Sequence, residues 1–363
     1  MRMLPKNELI IVILCILWYT VSSSNAIVSK TILSHFPFPM TVSIVQLSSI
    51  YFFLKPILMY LKASEKQVTF ERRYFWRMII PLALGKFAAA LSSHISIWKV
   101  PISYSHTVKS TMPLFVIFLS RLINGEKQST KVYLSIIPIV VGVSIATVTE
   151  LNFNAIGLTF ALLSAFIVSL LNIFSKNVMK EKPGLHHLAL LSIISKYAFI
   201  ISIPTWIYMD VFTIIKTSNE SPPHLYGYLI LDGFLTSLQN IIAFTVLSLV
   251  SPLTYSVANS SKRIAVIIVS LITMKNPITF TNLFGMCTAV TGVLLYNRAK
   301  HEQNVIKHSL PVYSKMNGSI NGSVNGSING SINGSTVNGN ALLNNGLMMN
   351  GHKSYGPTYV RYY

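Results

Sequence analysis

The chain has 363 residues, 52% of them hydrophobic and only 11% charged, a balance that excludes an ordinary soluble globular protein and points to a multi-span membrane protein. Its formal net charge of +19 does not point to nucleic acid, because the basic residues form no single patch and instead sort by the ends of the apolar runs. The two cysteines, Cys15 and Cys287, both fall inside such runs, so neither a disulfide framework nor a cysteine metal site is expected.

In chain order, apolar stretches long enough to cross a bilayer recur at 9–29, 38–61, 75–97, 103–120, 132–149, 155–175, 188–208, 227–248, 256–274 and 278–297. They predict an all-α integral membrane protein of ten transmembrane helices. The first stretch has full spanning length and no A-x-A-like cleavage site after it, so it is read as a retained helix rather than a signal peptide.

Orientation follows from the charges between the stretches. Arg2, Lys6, Lys62, Lys66, Arg72, Arg73, Arg121, Lys127, Lys131, Lys176, Lys180, Lys182, Arg298 and Lys300 all fall on the side of the N-terminus. The opposite loops hold only Lys30, Lys99, Lys216 and Lys275. The positive-inside rule therefore places both termini in the cytosol.

Ten spans with both ends inside divide into two halves of five, 9–149 and 155–297, and an odd number per half inverts one against the other. That is a transporter layout. Traces of duplication fall in the register it demands: Pro101-Ile-Ser-Tyr-Ser105 opens span 4 and Pro252-Leu-Thr-Tyr-Ser256 opens span 9. Asn25 with Ser29-Lys30 of span 1 is echoed by Asn172 with Ser175-Lys176 of span 6. Residues 1–8 form a short cytosolic N-terminus.

From 301 to 363 the chain becomes an Asn/Gly/Ser-rich tract with too little apolar content for a core, expected to be a disordered cytosolic tail. Its Asn-Gly-Ser triplets match the glycan acceptor pattern but lie on the wrong side of the membrane. Asn219-Glu-Ser221, in the outward loop between spans 7 and 8, is the acceptor expected to gain a glycan, inefficiently because Pro222 follows. Glycosidase-sensitive mobility in microsomes tests this, and a glycan on Asn317 or Asn321 would overturn the topology.

Charges inside the spans carry the functional reading. A Lys or Arg at the centre of a spanning helix costs about 2.5 to 3.5 kcal/mol on the insertion scale, so several of them need a compensating reason. Lys55, near a span end, is expected to snorkel, and Lys86 and Lys196 to snorkel or make a structural hydrogen bond. Lys109, Lys262 and Arg263 lie seven or eight residues into spans 4 and 9, roughly 10 to 12 Å deep from opposite sides. Because those spans are repeat counterparts, an inverted fold brings the three charges toward one central cavity.

Among the ten acidic residues only Asp232 falls inside a predicted span, near its outer end, so the cations lack internal partners. An anionic substrate supplies the missing charge, and a guanidinium fork beside an ammonium suits phosphate. The alternative is a structural pairing with backbone carbonyls. Tyr255, Asn259 and Arg263 follow i, i+4, i+8, and Asn259 is three residues from Lys262, which gives span 9 a polar face. His106, three residues before Lys109, either shares the pocket or is a packing residue. The scarcity of carboxylates argues against a proton or sodium relay and for exchange of one anion for another.

These residues carry a resemblance. Trp18 through Asn25 and Lys30, Phe36-Pro-Phe-Pro39 with Thr41-Val-Ser43, the segment SYSHTVKSTMP from Ser103 and the segment LSLVSPLTYSVANSSKR ending at Arg263 together resemble the triose-phosphate translocator family of the drug/metabolite transporter superfamily. Ser96-Ile-Trp-Lys-Val-Pro101 and Gly125-Glu-Lys-Gln-Ser-Thr-Lys-Val-Tyr133 are most similar to the E subgroup of solute carrier family 35. The likeness covers about residues 9 to 300. It implies alternating access around a central cavity and exchange of a phosphorylated metabolite for phosphate or another phosphorylated anion. It puts the phosphate-holding lysine on Lys109 and the Lys-Arg pair on Lys262 and Arg263. Where plastid members contact the organic part of the substrate with His, Thr and Tyr, this chain has Ala90, Ser93 and Gln239, a departure that puts triose phosphate itself in question.

The expectation is thus an antiporter for a phosphorylated organic anion, not an enzyme, with no cofactor and no metal, working in a lipid bilayer and compatible with a homodimer. Its place is an endomembrane, Golgi or endoplasmic reticulum, since no plastid transit peptide precedes span 1. Nucleotide-sugar exchange would use the same charges on a diphosphate. A membrane enzyme would need a carboxylate pair or metal cluster at membrane depth, and a non-transporting scaffold or trafficking factor would need none of the three charges.

Overall fold

The structure, a computed structural model, describes residues 6–60, 70–182, 185, 187–217, 224–250 and 252–309. Lys62, Lys66, Asn219 and the tail from 310 lie outside the described residues, as do residues 1–5 of the N-terminal segment. Among the described residues all regular structure is helical: α1 (Lys6–His35), α2 (Pro39–Tyr60), α3 (Arg72–Lys99), α4 (102–124), α5 (Thr130–Val148), α6 (Ala155–Glu181), α7 (187–217), α8 (His224–Leu249), α9 (Pro252–Met274) and α10 (Phe280–Ser309). Each predicted stretch is helical. Eight of these helices, all but α4 and α10, are long and apolar enough to cross a membrane. α4 is interrupted by a 3-10 turn at Lys109–Thr111, and α10 mixes Asn282, Thr288, Thr291 and Asn297 into its apolar run.

Helix ends follow local chemistry. Pro39 is the first residue of α2, where its missing N–H costs nothing. Asn154 caps α6 by accepting from the Gly157 amide at 3.1 Å, and α4 stops at Gly125, whose φ of 66° is a left-handed value suited to glycine. The helices pack α3 on α6, α1 on α8, α2 on α7 and α8, α7 on α3, α4 on α6 and α9, and α9 on α1. Large apolar side chains such as Phe52, Leu84, Leu122, Ile230 and Phe284 point outward, as expected of surfaces that meet lipid.

Two residues sit differently from the sequence expectation. Lys30, assigned to an outward loop, belongs to α1, and its Nζ donates to the carbonyls of Ile97, Trp98 and Val100 at 2.7, 3.2 and 3.1 Å. It thereby satisfies the orphan carbonyls at the C-terminus of α3, where a positive charge is favoured. Asp210 lies beyond the predicted end of span 7, yet α7 continues through a π turn at Ile207–Val211. The Asp210 carboxylate is buried and accepts from the Thr41 amide and hydroxyl at 2.9 and 2.8 Å, capping the first turn of α2. Two exposed ion pairs, Lys131 with Glu302 and Arg298 with Glu302, join the end of α10 to itself and to α5.

Candidate functional site

α3 contributes the first wall. Leu84 faces outward, Ala89 accepts from Ser164 of α6, and His94 contacts Gln46 of α2. At about 100° per residue the remaining face, Lys86, Ala90 and Ser93, points away from lipid and toward the middle of the protein. These three are half-buried rather than sealed. Ser93 Oγ accepts from Lys109 Nζ at 2.6 Å. Sequence reasoning recorded Ser93 only as a departure from plastid relatives; here it is the partner of the central lysine.

The shape of α4 at Lys109 follows from Pro113. Proline has no N–H for the carbonyl four residues back, which is that of Lys109, and the backbone tightens into the 3-10 turn. The Lys109 carbonyl accepts from the Met112 amide and from Arg263 Nη1 of α9 at 2.7 Å. Arg263 Nη2 lies 2.7 Å from Met112 Sδ. α4 and α9 are therefore tied through an arginine and a carbonyl that a proline deprived of its i+4 donor.

The polar face expected on α9 divides. Eight residues advance a helix by roughly 80° from register, seven by only about 20° the other way. Lys262, not Arg263, therefore lies over Tyr255. Lys262 Nζ sits 4.9 Å from the centre of the Trp18 ring of α1, a cation–π contact, and Trp18 stacks on Tyr255 at 5.5 Å. Asn259 and Arg263 instead line a cavity of about 120 Å³ with Met112, Pro113, Ser260, Tyr296 and Asn297. His106 is half-buried, and the charges of Lys109, Arg263 and Lys262 all act on it. Gln239 of α8 is half-buried and makes no hydrogen bond among the described residues. Lys109 and Arg263 are brought into contact, then; Lys262 and Tyr255 form a neighbouring group on Trp18, and Gln239 stays apart.

No carboxylate pairs with Lys109, Lys262 or Arg263 among the described residues, whose ion pairs all involve Glu302. Nor do they offer a cluster able to hold a metal ion. Three cations held by a serine, a carbonyl and an aromatic ring keep their charge uncompensated, and an anion entering between them gains charge-assisted hydrogen bonds.

The sequence of residues 9–297 matches the model of the Triose-phosphate Transporter family. The chain belongs to that family. It is a transporter family, and the match takes in all ten helical stretches up to Asn297. Relatives include phosphoenolpyruvate/phosphate translocator 2, chloroplastic, of Arabidopsis thaliana, 33% identical over 79% of this chain and 76% of its own length. Glucose-6-phosphate/phosphate translocator 1, chloroplastic, of the same plant is 31% identical over 78% and 73%. The relative C83.11 of Schizosaccharomyces pombe is 32% identical over 79% of this chain, which spans 66% of that relative. One solved crystal structure shares the fold, with a TM-score of 0.51 over 78% of this chain and 96% of its own at 11% identity.

Proposed function

We propose that this chain is a ten-span antiporter of two inverted five-helix halves, 9–149 and 155–297, that exchanges a phosphorylated organic anion for phosphate. The observation that carries the reading is the group of three interior cations from α4 and α9 with no carboxylate among their described partners. The names of the plastid relatives, each pairing an organic phosphate with phosphate, agree with it. In this reading Lys109 and Arg263 hold the phosphate with Lys262 beside them, Asn259 lines the cavity next to Arg263, and Tyr255, His106 and Gln239, which do not line that cavity, are assigned to the substrate's organic part. Ser93 keeps Lys109 in place between substrates.

The packing supports the inverted halves. If each helix is exchanged for the one five places on, α1 on α8 becomes α6 on α3, α2 on α8 becomes α7 on α3, and α1 on α9 becomes α6 on α4. All of these pairs occur, and α4 on α9 maps onto itself. The Arg263 bond to the Lys109 carbonyl then lies at the centre of the relation, between counterpart helices. We read it as the contact that holds the cavity walls together when no anion is bound, and that the anion replaces.

The tail, 301–363, remains on the cytosolic side in this reading, and the protein works in the Golgi or endoplasmic reticulum, a location supported by the resemblance of residues 96–101 and 125–133 to the E subgroup of solute carrier family 35. Fluorescence of a tagged chain against organelle markers decides the location. Transport is tested with purified protein in liposomes: labelled phosphate or glucose 6-phosphate should enter vesicles loaded with phosphate and fail to enter empty ones. Equal uptake into loaded and empty vesicles would refute exchange.

A further inference from the structure

The transport reading leaves one polar assembly unused. Asp232 of α8 is fully buried. Its carboxylate accepts from the Ser29 hydroxyl of α1 and from Gln46 Nε2 of α2, the latter at 2.8 Å. Because Gln46 turns its amide nitrogen to the carboxylate, its oxygen faces His94 Nε2 of α3 at 3.1 Å, and His94 must donate there. His94 is itself buried, and its Nδ1 has no partner among the described residues. Four helices thus contribute to one chain that ends in a bare basic nitrogen, one residue from the serine that holds Lys109.

With Asp232 ionised the chain carries one negative charge, held only by neutral donors, and burying such a charge without a counter-ion is costly. The charged groups of the surrounding helices are otherwise engaged. Lys30 of α1 is held on the α3 carbonyls, Lys196 of α7 lies against Tyr51, and Asp210 of α7 caps α2. Lys262 and Arg263 of α9 face Trp18 and the Lys109 carbonyl. Lys86 lies two turns along α3 from Ser93, and α2 itself brings only the neutral Gln46. Lys109 alone acts electrostatically on His94. A proton can be taken by the Asp232 carboxylate or by His94 Nδ1, and in either position every hydrogen bond of the chain survives.

We propose that Asp232, Gln46 and His94 form a proton-binding site through which the exchanger carries a proton together with the more highly charged of its two anions. The inference rests on the transport reading and adds charge balance to it. The chain's His94 end lies within electrostatic reach of Lys109, so a net negative charge on the chain opposes an anion with an extra carboxylate and a proton on the chain removes that opposition. Proton and extra charge therefore favour each other's binding, and the coupling is reciprocal. The proton is bound from one aqueous side by way of the half-buried Gln46 and Ser93 and released on the other. Counting carboxylates in the sequence argued against such coupling. The hydrogen-bonded chain argues the other way, because Gln46 links the lone aspartate to His94, one residue from the serine that holds Lys109.

The test uses the full-length protein in liposomes loaded with phosphate and a pH-sensitive dye, with phosphoenolpyruvate, which has a carboxylate besides its phosphate, or glucose 6-phosphate added outside. Entry of phosphoenolpyruvate should acidify the lumen and entry of glucose 6-phosphate should not. Asp232→Asn keeps the shape and removes the charge; Gln46→Leu cuts the chain without removing a charge. In each, phosphoenolpyruvate exchange should fall about tenfold and lose its acidification, while phosphate–phosphate exchange, which reports folding, persists. Unchanged acidification per molecule in both variants would mean that the anion carries its own proton, and would overturn the proposal. So would refusal of phosphoenolpyruvate by the wild type while glucose 6-phosphate exchanges normally. Absence of all exchange would overturn the transport reading and this one with it.

Discussion

Lys109→Gln, Lys262→Gln and Arg263→Gln are each expected to lower phosphate exchange by about tenfold to more than a hundredfold while leaving the protein in the membrane. The magnitude comes from losing one charge-assisted hydrogen bond, roughly 1.5 to 3 kcal/mol, converted at about 1.4 kcal/mol per tenfold. Folding should withstand the changes for reasons specific to each site. Lys262 makes its contact with a ring, and a neutral side chain there removes a charge that membrane burial disfavours. When Arg263 is lost, the Lys109 carbonyl keeps the Met112 amide as its donor, so no buried acceptor is orphaned. Arg263→Lys should recover only part of the rate, because an ammonium cannot offer two parallel donors to a phosphate. Lys55→Gln is the control: Lys55 is exposed at the end of α2 with only the Tyr51 ring 5.9 Å from its Nζ. Exchange per molecule and abundance must be measured on the same samples. If the α9 variants vanish from the membrane while the survivors exchange at the normal rate, Lys262 and Arg263 are packing charges and the site is misassigned.

The comparison of sequence with structure separates what one-dimensional pattern can carry from what it cannot. Apolar length located the eight helices that are long and apolar enough to cross a membrane, because crossing a bilayer needs a run of apolar residues whatever packs beside it. The depth of Lys109, Lys262 and Arg263 was legible for the same reason. Their partners were not. Arg263 meets a carbonyl whose i+4 donor Pro113 removes, and nothing in the spacing of two residues 150 positions apart links a proline to an arginine. The signal in α4 was nonetheless local: a proline four residues after a lysine marks that lysine's carbonyl as lacking its usual i+4 donor. The surroundings of Asp232 were not legible, because they are set by Ser29 and Gln46 arriving from other helices. Asp210 was lost to a boundary, since the π turn carries α7 past the predicted span end at 208. On α9 the face was drawn too wide. A repeat of four drifts by about 40° each turn and a half-forgotten seventh position, Lys262, holds register better.

Gly142→Leu is expected to abolish stable folding, and Gly142→Ala to weaken it by about 1 to 3 kcal/mol, the usual range for overpacking. A Cβ built at Gly142 of α5 would lie 2.3 Å from the Ala289 amide nitrogen, 2.6 Å from the Gly285 carbonyl oxygen and 2.8 Å from the Ala289 Cα of α10. All three are backbone atoms, so no rotamer change relieves the clash and the helices themselves must separate. The contact is reciprocal. A Cβ at Gly285 would lie 2.7 Å from the Ala146 amide nitrogen, and one at Gly292 would lie 2.7 Å from that of Ile139. Gly285, Ala289 and Gly292 follow i, i+4, i+7, so they form one strip of α10 on which α5 lies backbone to backbone, the close approach by which helices associate where lipid removes the hydrophobic drive. Gly227→Ala is the matched control, since nothing stands within 4 Å of a Cβ there and an alanine in the helix should add roughly 0.5 to 1 kcal/mol. Thermal unfolding in detergent and abundance in the membrane read both changes. Because α5 and α10 contribute none of the three cations, whatever Gly142→Ala protein survives should exchange phosphate at the wild-type rate per molecule; a slowed rate with unaltered unfolding would mean that the α5–α10 contact moves during transport instead of serving as a fixed support.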